Sequence, residues 1–164
     1  RKALDLLRVS GEIAERENSE RVTREHVKKA VRKIESDQVS EAVRTLPTQS
    51  KVLLFGMIIL TESGYAKFTT GEAYSIYRNL CRRIGLDVLT QRRVSDLISE
   101  LDMLGIINSI VISKGRYGRT REIKVEMPIE DLKKVLLEDY RLENLLKYEK
   151  DLKSLISLDT FGDV

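Results

Sequence analysis

At Gly105 the hydrophobic pattern of this chain changes its period. Before it, Val94, Leu97, Ile98, Leu101 and Leu104 recur at helical spacing; after it, Ile106 to Ile112 is β-branched and apolar apart from Asn108 and Ser109. Further on, Ile123, Val125 and Met127 alternate with Glu122, Lys124 and Glu126. Apolar residues three and four apart share a face only in a helix, and residues two apart share one only in a strand. The switch therefore predicts a helix followed by the two strands of a hairpin. The connection, Lys114-Gly115-Arg116-Tyr117-Gly118-Arg119, holds two glycines, which admit a tight loop without steric cost.

Upstream, the same reading gives helices. Residues 1–17 place Ala3, Leu6, Leu7, Ile13 and Ala14 near helical spacing, and Asn18-Ser19 ends the segment. Thr23 is a natural N-cap for a stripe of Val27, Ala30, Val31 and Ile34, and a short separate helix is expected over about 37–45. Leu46-Pro47-Thr48 interrupts the pattern, so the domain boundary falls between about 36 and 48, giving parts 1–45 and 46–164. The second part opens with a nearly all-apolar core helix, 50–62, carrying Val52, Leu53, Phe55, Gly56, Ile58, Ile59 and Leu60. Ser63-Gly64 stops it. Thr69 or Thr70 caps the next helix, with Ala73, Ile76, Tyr77, Leu80 and Ile84 on one face up to Gly85, and Thr90 caps the third. From Pro128 to about Leu158, one or two amphipathic helices bury Leu132, Val135, Leu136, Leu142, Leu145, Leu146, Leu152, Leu155 and Ile156. The fold class is mainly α. Three helices and then a hairpin is the order of a winged helix-turn-helix, with the hairpin as its wing.

Several functions are excluded. No stretch reaches the roughly 18 uncharged apolar residues that span a bilayer, so no membrane is expected. One histidine, His26, and one cysteine, Cys81, make no zinc cluster and no internal disulfide, which suits a reducing intracellular setting. His26 is expected at the surface and Cys81 as an inert thiol. No P-loop, dinucleotide fingerprint, nucleophile elbow or His-Glu-x-x-His occurs, so catalysis by these residues is not expected. The opening Arg-Lys-Ala-Leu, without initiator methionine or signal peptide, reads as a fragment entered in mid-helix.

The charge is local. Net charge is +3, but residues 78–125 hold ten basic against five acidic residues, whereas 126–164 hold six against ten. A basic middle on a nearly neutral chain points to a defined polyanion-binding face. On the third helix the side opposite the apolar stripe carries Gln91, Arg92, Ser95, Asp96 and Ser99, with Arg93 toward its flank and Thr90 at its start. Basic residues sit at the N-terminal end and Glu100 and Asp102 toward the other, the polarity of a recognition helix that reads base edges from its first turns. At the hairpin, Lys114, Arg116, Arg119 and Arg121 surround Tyr117, and Gly115 and Gly118 let the main chain approach a sugar edge. A charged hairpin tip is ordinarily only solvated. Behind a helix with a basic N-terminal half, it reads as facing DNA. Arg78, Arg82 and Arg83 either extend the phosphate track or face solvent beside nearby acids; Tyr65, Phe68, Tyr74 and Tyr77 read as packing residues.

The opening Arg1-Lys2-Ala3-Leu4-Asp5-Leu6-Leu7-Arg8-Val9-Ser10-Gly11-Glu12-Ile13-Ala14-Glu15 resembles the sensor-2 helix of archaeal AAA+ replication initiators, the origin-recognition and cell-division-control proteins. Val22-Thr23-Arg24-Glu25-His26-Val27 resembles the next lid helix, and the winged helix with Gly115-Arg116-Tyr117-Gly118-Arg119 resembles that family's origin-binding domain. The resemblance implies a helical lid fragment followed by a winged-helix domain. It also implies binding of double-stranded origin DNA, a contribution to helicase loading, and a cytoplasmic, nucleoid-associated setting. Carried over by motif, Arg92, Arg93 and Ser95 would meet the major groove, and Arg116, Tyr117 and Arg119 the backbone or minor groove. In the family a Gly-Asp-x-Arg motif opens the lid helix and its arginine reaches the γ-phosphate of ATP. By position that arginine is Arg1, while ATP or ADP with Mg belongs to the nucleotide domain of the full-length parent. The alternative is a protein-interaction module that docks the replicative helicase or another initiator subunit through apolar and acidic surfaces.

Overall fold

The structure, a computed structural model, describes residues 1–113 and 115–157. The chain divides between Glu41 and Ala42 into two compact units.

The first unit is built on α1 (Lys2–Arg16) and most of α2 (Arg24–Thr45). α1 ends on Asn18 in the left-handed region (φ 52°), with the Ser19 N–H reaching the Ala14 carbonyl at 2.9 Å. Asn tolerates that conformation better than other side chains, so Asn18 acts here as glycine does at most helix ends. α1 buries Val9, Ser10 and Ala14, while Leu4 and Leu7 are exposed, so Leu7 is not on the packed face that periodicity suggested. His26 also departs from expectation: it is 5% exposed. It occupies the third position of α2, where its Nδ1 accepts the Thr23 N–H at 3.0 Å, and Nε2 lies 3.2 Å from Glu17. A ring nitrogen thus does for the helix start what Glu or Gln does in a capping box. The separate helix expected over 37–45 is the continuation of α2, because nothing in Ile34-Glu35-Ser36-Asp37 breaks the backbone ladder.

The second unit is built around the core helix, α3 (Thr48–Glu62), whose residues from Val52 to Leu60 are all buried. Gly56 lets α4 (Thr70–Ile84) pack closely: a Cβ there would lie 3.1 Å from Ile76 and 3.3 Å from Leu80. Ala73, Ile76, Tyr77 and Leu80 of α4 complete this layer, with Val94, Leu97, Ile98 and Leu101 of α5 (Gln91–Met103). Leu104, expected on the same face, is exposed beyond the end of α5. Gly105 (φ 73°) turns the chain: its N–H reaches the Asp102 carbonyl at 2.9 Å and that of Ile106 the Leu101 carbonyl at 3.1 Å. This paired-bond ending releases the chain directly into the hairpin.

β2 (Ile107–Ser113) and β3 (Arg119–Val125) pair antiparallel in the register Ile107↔Val125 to Ser113↔Arg119. A third strand, β1 (Phe68–Thr69), pairs with β3 at Ile123 and Glu122, so the sheet order is β1-β3-β2. Two residues carry no readable alternation, and β1 exists because β3 offers it a free edge. The end of the described chain forms three helices rather than one or two: α6 (Ile129–Leu136), α7 (Tyr140–Glu143) and α8 (Leu146–Ser157). The Asp139 carboxylate accepts the Arg141 N–H at 3.1 Å and starts α7. Leu132, Leu136, Leu142, Leu145, Leu152 and Ile156 are buried, whereas Leu146 and Leu155 are partly exposed. α8 is tied to α3 and α6 by charge: Glu149 meets Lys133 at 2.7 Å and Lys153 at 2.6 Å, and both lysines reach Glu62. Leu158, the expected end of this region, lies outside the described residues.

Candidate nucleic-acid interface

α5 is positioned at its start by main-chain bonds. The Thr90 hydroxyl accepts the Arg93 N–H at 3.4 Å, capping the helix. Leu89, just before the cap, is held on both backbone groups: its carbonyl accepts the Tyr74 hydroxyl at 3.0 Å and its N–H donates to the Tyr77 hydroxyl at 3.2 Å. Tyr77 in turn donates to the Gln49 side chain, and burial pushes its pKa up. Tyr74 and Tyr77 therefore fix the turn that presents α5. Tyr77 and Phe68 are buried and Tyr74 is half-buried. Cys81 is buried and its thiol is pushed up by desolvation, the state of an unreactive sulfur.

The far end of α5 holds the wing. Asp102 accepts the Ser109 N–H at 3.2 Å and the Ser109 hydroxyl at 3.0 Å, and Arg121 reaches that hydroxyl at 3.4 Å. Periodicity gave no sign of this carboxylate's role. The only available hint was an acid near the end of a helix followed by a serine in a strand.

Between these fixed ends, Gln91 and Ser95 of α5 line a shallow groove of about 220 Å³ together with Thr70 of α4, Val111 of β2 and Arg119, Thr120 and Arg121 of β3. Gln91, Arg92 and Arg93 are exposed, Ser95 and Ser99 half-buried. Ser99 donates to the Ser95 carbonyl at 3.1 Å. Arg93 lies 3.6 Å from Asp96, a loose pair between two exposed side chains. The hairpin differs in one respect from expectation: Arg119 and Arg121 belong to β3, not to the loop. Strand pairing extends to Ser113↔Arg119, because each residue from 107 to 113 has a partner, which shortens the connection to 114–118. In it Gly115 (φ 60°) and Gly118 (φ 83°) take backbone conformations that side chains disfavour, around the turn Gly115–Tyr117. Arg116 is exposed; Lys114 and the side chain of Tyr117 lie outside what is described.

Among the described residues, no carboxylate lies within 4 Å of Arg92, Arg116, Arg119 or Arg121, and the acids along the wing have other partners: Asp102 holds Ser109, Glu122 meets Lys67 at 2.7 Å and Glu126 meets Lys124 at 3.2 Å. Arg82 is exposed, and Arg78 stands over the Tyr74 ring at 5.8 Å, beside the turn into α5. Arg83 turns elsewhere, over the Tyr148 ring at 5.1 Å and 3.7 Å from Asp151. In the first unit, Arg1 is exposed at the N-cap of α1 and makes no capping bond with its side chain.

The family model for the CDC6 C-terminal winged helix domain matches residues 41–135, and that for the Cdc6 AAA+ ATPase-type lid domain matches residues 1–33. The chain belongs to the Cdc6/ORC1 family of replication initiators. ORC1-type DNA replication protein 1 of Archaeoglobus fulgidus is 64% identical over 161 residues, 98% of this chain and 39% of that protein. The ORC1-type protein of Pyrococcus furiosus is 57% identical over 146 residues, 89% of this chain and 35% of its own length. This Cdc6/ORC1 chain thus spans about two-fifths or less of those relatives. The solved ORC1 protein of Aeropyrum pernix in complex with DNA matches with a TM-score of 0.79 at 50% identity, covering 88% of this chain and 38% of that one. Drosophila ORC bound to DNA, 23% identical with a TM-score of 0.56 over 83% of this chain and 34% of that one, shares the fold. Among the described residues no helix is long and apolar enough to cross a membrane.

Proposed function

We propose that this chain binds double-stranded DNA at replication origins with a bias for sequence, α5 reading base edges in the major groove while the wing holds the backbone or minor groove. The observation that carries the reading is the shared groove, lined by Gln91 and Ser95 from the recognition helix and Arg119 and Arg121 from the wing and, among the described residues, by no carboxylate. DNA bound to the similar Aeropyrum protein supports it. We further propose a contribution to helicase loading, a cytoplasmic setting by the nucleoid, and a nucleotide-sensing role for Arg1 beside ATP held by a separate domain, readings that family membership supports. The chain itself is expected to turn over no nucleotide.

Salt titration of duplex binding tests the proposal. About four to six neutralised phosphates give a slope of log K against log salt of roughly −4 to −5. Arg116→Ala weakens binding to origin and random duplexes alike, whereas Arg92→Ala narrows the gap between them by about 1 to 3 kcal/mol. Binding indifferent to salt, or equal losses on both duplexes for Arg92→Ala, would refute it.

A further inference from the structure

At the end of α4 away from the DNA-facing groove lies a second, larger cleft of about 550 Å³. Thr70 borders the groove and Arg83 the cleft; thirteen residues of helix separate them, on the order of 20 Å. Three elements each give the cleft one cation: Arg83 from α4, Arg141 from α7 and Lys147 from α8. Among the described residues no acidic one lines it, although Tyr140, Arg141, Asn144, Lys147 and Tyr148 come from the acidic stretch 126–164. Among the described residues Arg141 and Lys147 have no carboxylate within 4 Å of their charged groups. Arg83 lies 3.7 Å from the exposed Asp151, while Asp139, beside Arg141 in sequence, is engaged by Lys51 at 3.0 Å and by the Arg141 main-chain N–H.

Arg141 is held rather than free. It donates to the Thr48 hydroxyl at 3.0 Å and to the Tyr140 hydroxyl at 3.2 Å, which among the described residues leaves three of its five N–H donors unspent. A fixed guanidinium loses little freedom on binding and its fork matches a carboxylate. Among the described residues Lys147 makes only a long contact, 3.4 Å, to Asn144. Ile84 and Leu86, both half-buried, give the cleft an apolar part.

We propose that this cleft docks an acidic peptide segment of a partner protein, its carboxylates on Arg141, Lys147 and Arg83 and an apolar side chain against Ile84 and Leu86. Nucleic acid fits less well. Both tyrosine rings already carry an arginine over one face, Arg83 on Tyr148 at 5.1 Å and Arg141 on Tyr140 at 5.6 Å, so a base cannot stack there from that side. A duplex presents a broad convex surface, whereas a concave site of this volume admits side chains. This goes beyond DNA binding and stands or falls apart from it.

Fluorescence anisotropy on the intact chain decides the matter, using a short labelled peptide with glutamates around a phenylalanine, its glutamine counterpart and a labelled duplex. The glutamate peptide is expected to bind at least about tenfold tighter than the glutamine one, and to lose about tenfold in Lys147→Glu and in Arg141→Gln, but nothing in Arg116→Ala. Lys147→Glu should leave duplex affinity within about twofold, since it lies well beyond a Debye length from the groove. Because Arg141 also braces Thr48, Lys147→Glu keeps the test valid should Arg141→Gln lose fold. Failure of the glutamate peptide to bind, equal binding of both peptides, or no effect of Lys147→Glu overturns the proposal. A loss of duplex affinity in Lys147→Glu as large as in Arg116→Ala also overturns it, by making the cleft part of the DNA surface.

Discussion

Asp102 joins the recognition helix to the wing, and replacing it separates geometry from charge. In Asp102→Ala the Ser109 N–H and hydroxyl lose a charged acceptor at 3.2 and 3.0 Å. Both residues are half-buried, so water replaces part of that bonding and the expected loss of stability is about 1 to 3 kcal/mol. Two effects on DNA binding then compete. Removing a negative charge favours DNA, and Asp102 comes nearest to it at the wing, joined through the Ser109 hydroxyl to Arg121. A phosphate beyond Arg121 stands on the order of 10 Å away, more than one Debye length of about 8 Å at 0.15 M salt, and the gain is only about 0.1 to 0.2 kcal/mol. The other effect is mechanical: a wing no longer tied at Ser109 must be ordered on binding, which costs about 1 kcal/mol, or roughly a fivefold weaker Kd. Geometry therefore wins. Asp102→Asn removes the same charge but keeps an acceptor for Ser109, and should bind DNA within about twofold of the parent. Duplex anisotropy at 0.15 M salt beside urea unfolding measures both quantities. Parental or tighter binding by Asp102→Ala would show that the bridge does not position the wing.

Two further outcomes concern the frame. Glu149, between Lys133 and Lys153, is desolvated by partial burial, yet the ammonium groups hydrogen-bonded to it prevail and hold its pKa at about 2, against an ordinary 4.5. A depressed carboxylate adds stability above its unfolded pKa and loses it as the pH falls through the folded one, so this contribution is full above about 4.5 and fades toward 2. The shift alone is worth about 3 kcal/mol, reduced to roughly 1 to 2 where water reaches the pair. Glu149→Gln should lose that amount at pH 7 and nothing near pH 2, and a difference independent of pH in chemical unfolding would count against it. At the start of α4 the Thr69 hydroxyl accepts the Glu72 N–H at 3.3 Å while Glu72 accepts the Thr69 N–H at 2.6 Å, both halves of a capping box. Thr69→Ala should cost about 1 kcal/mol, read as a lower Tm; no shift would mean that β1 pairing alone fixes this helix start.

What could be read in the chain was local. The stops at Asn18, Gly64, Gly85 and Gly105, the caps at Thr69 and Thr90, and the strands on either side of Gly115-Arg116-Tyr117-Gly118 depend on hydrogen bonds between residues a few positions apart, so a short window of sequence contains both partners. The recognition helix was legible for the same reason: its buried stripe and polar face share one 3.6-residue period. Long-range pairing decided the remainder. β1 takes its partners from residues 122–123, and His26 takes Glu17 from just beyond the end of α1. Arg121 is drawn to Ser109 across the hairpin, and Arg83 is placed with residues 141 and 147, far along the chain. Periodicity states which face of an element is buried but not what it is buried against, and a charged side chain's partner is set by which distant element arrives beside it. The polarity of α5 was thus written in the sequence, while the anchoring of the wing and the second cationic cleft arose only when the chain closed on itself.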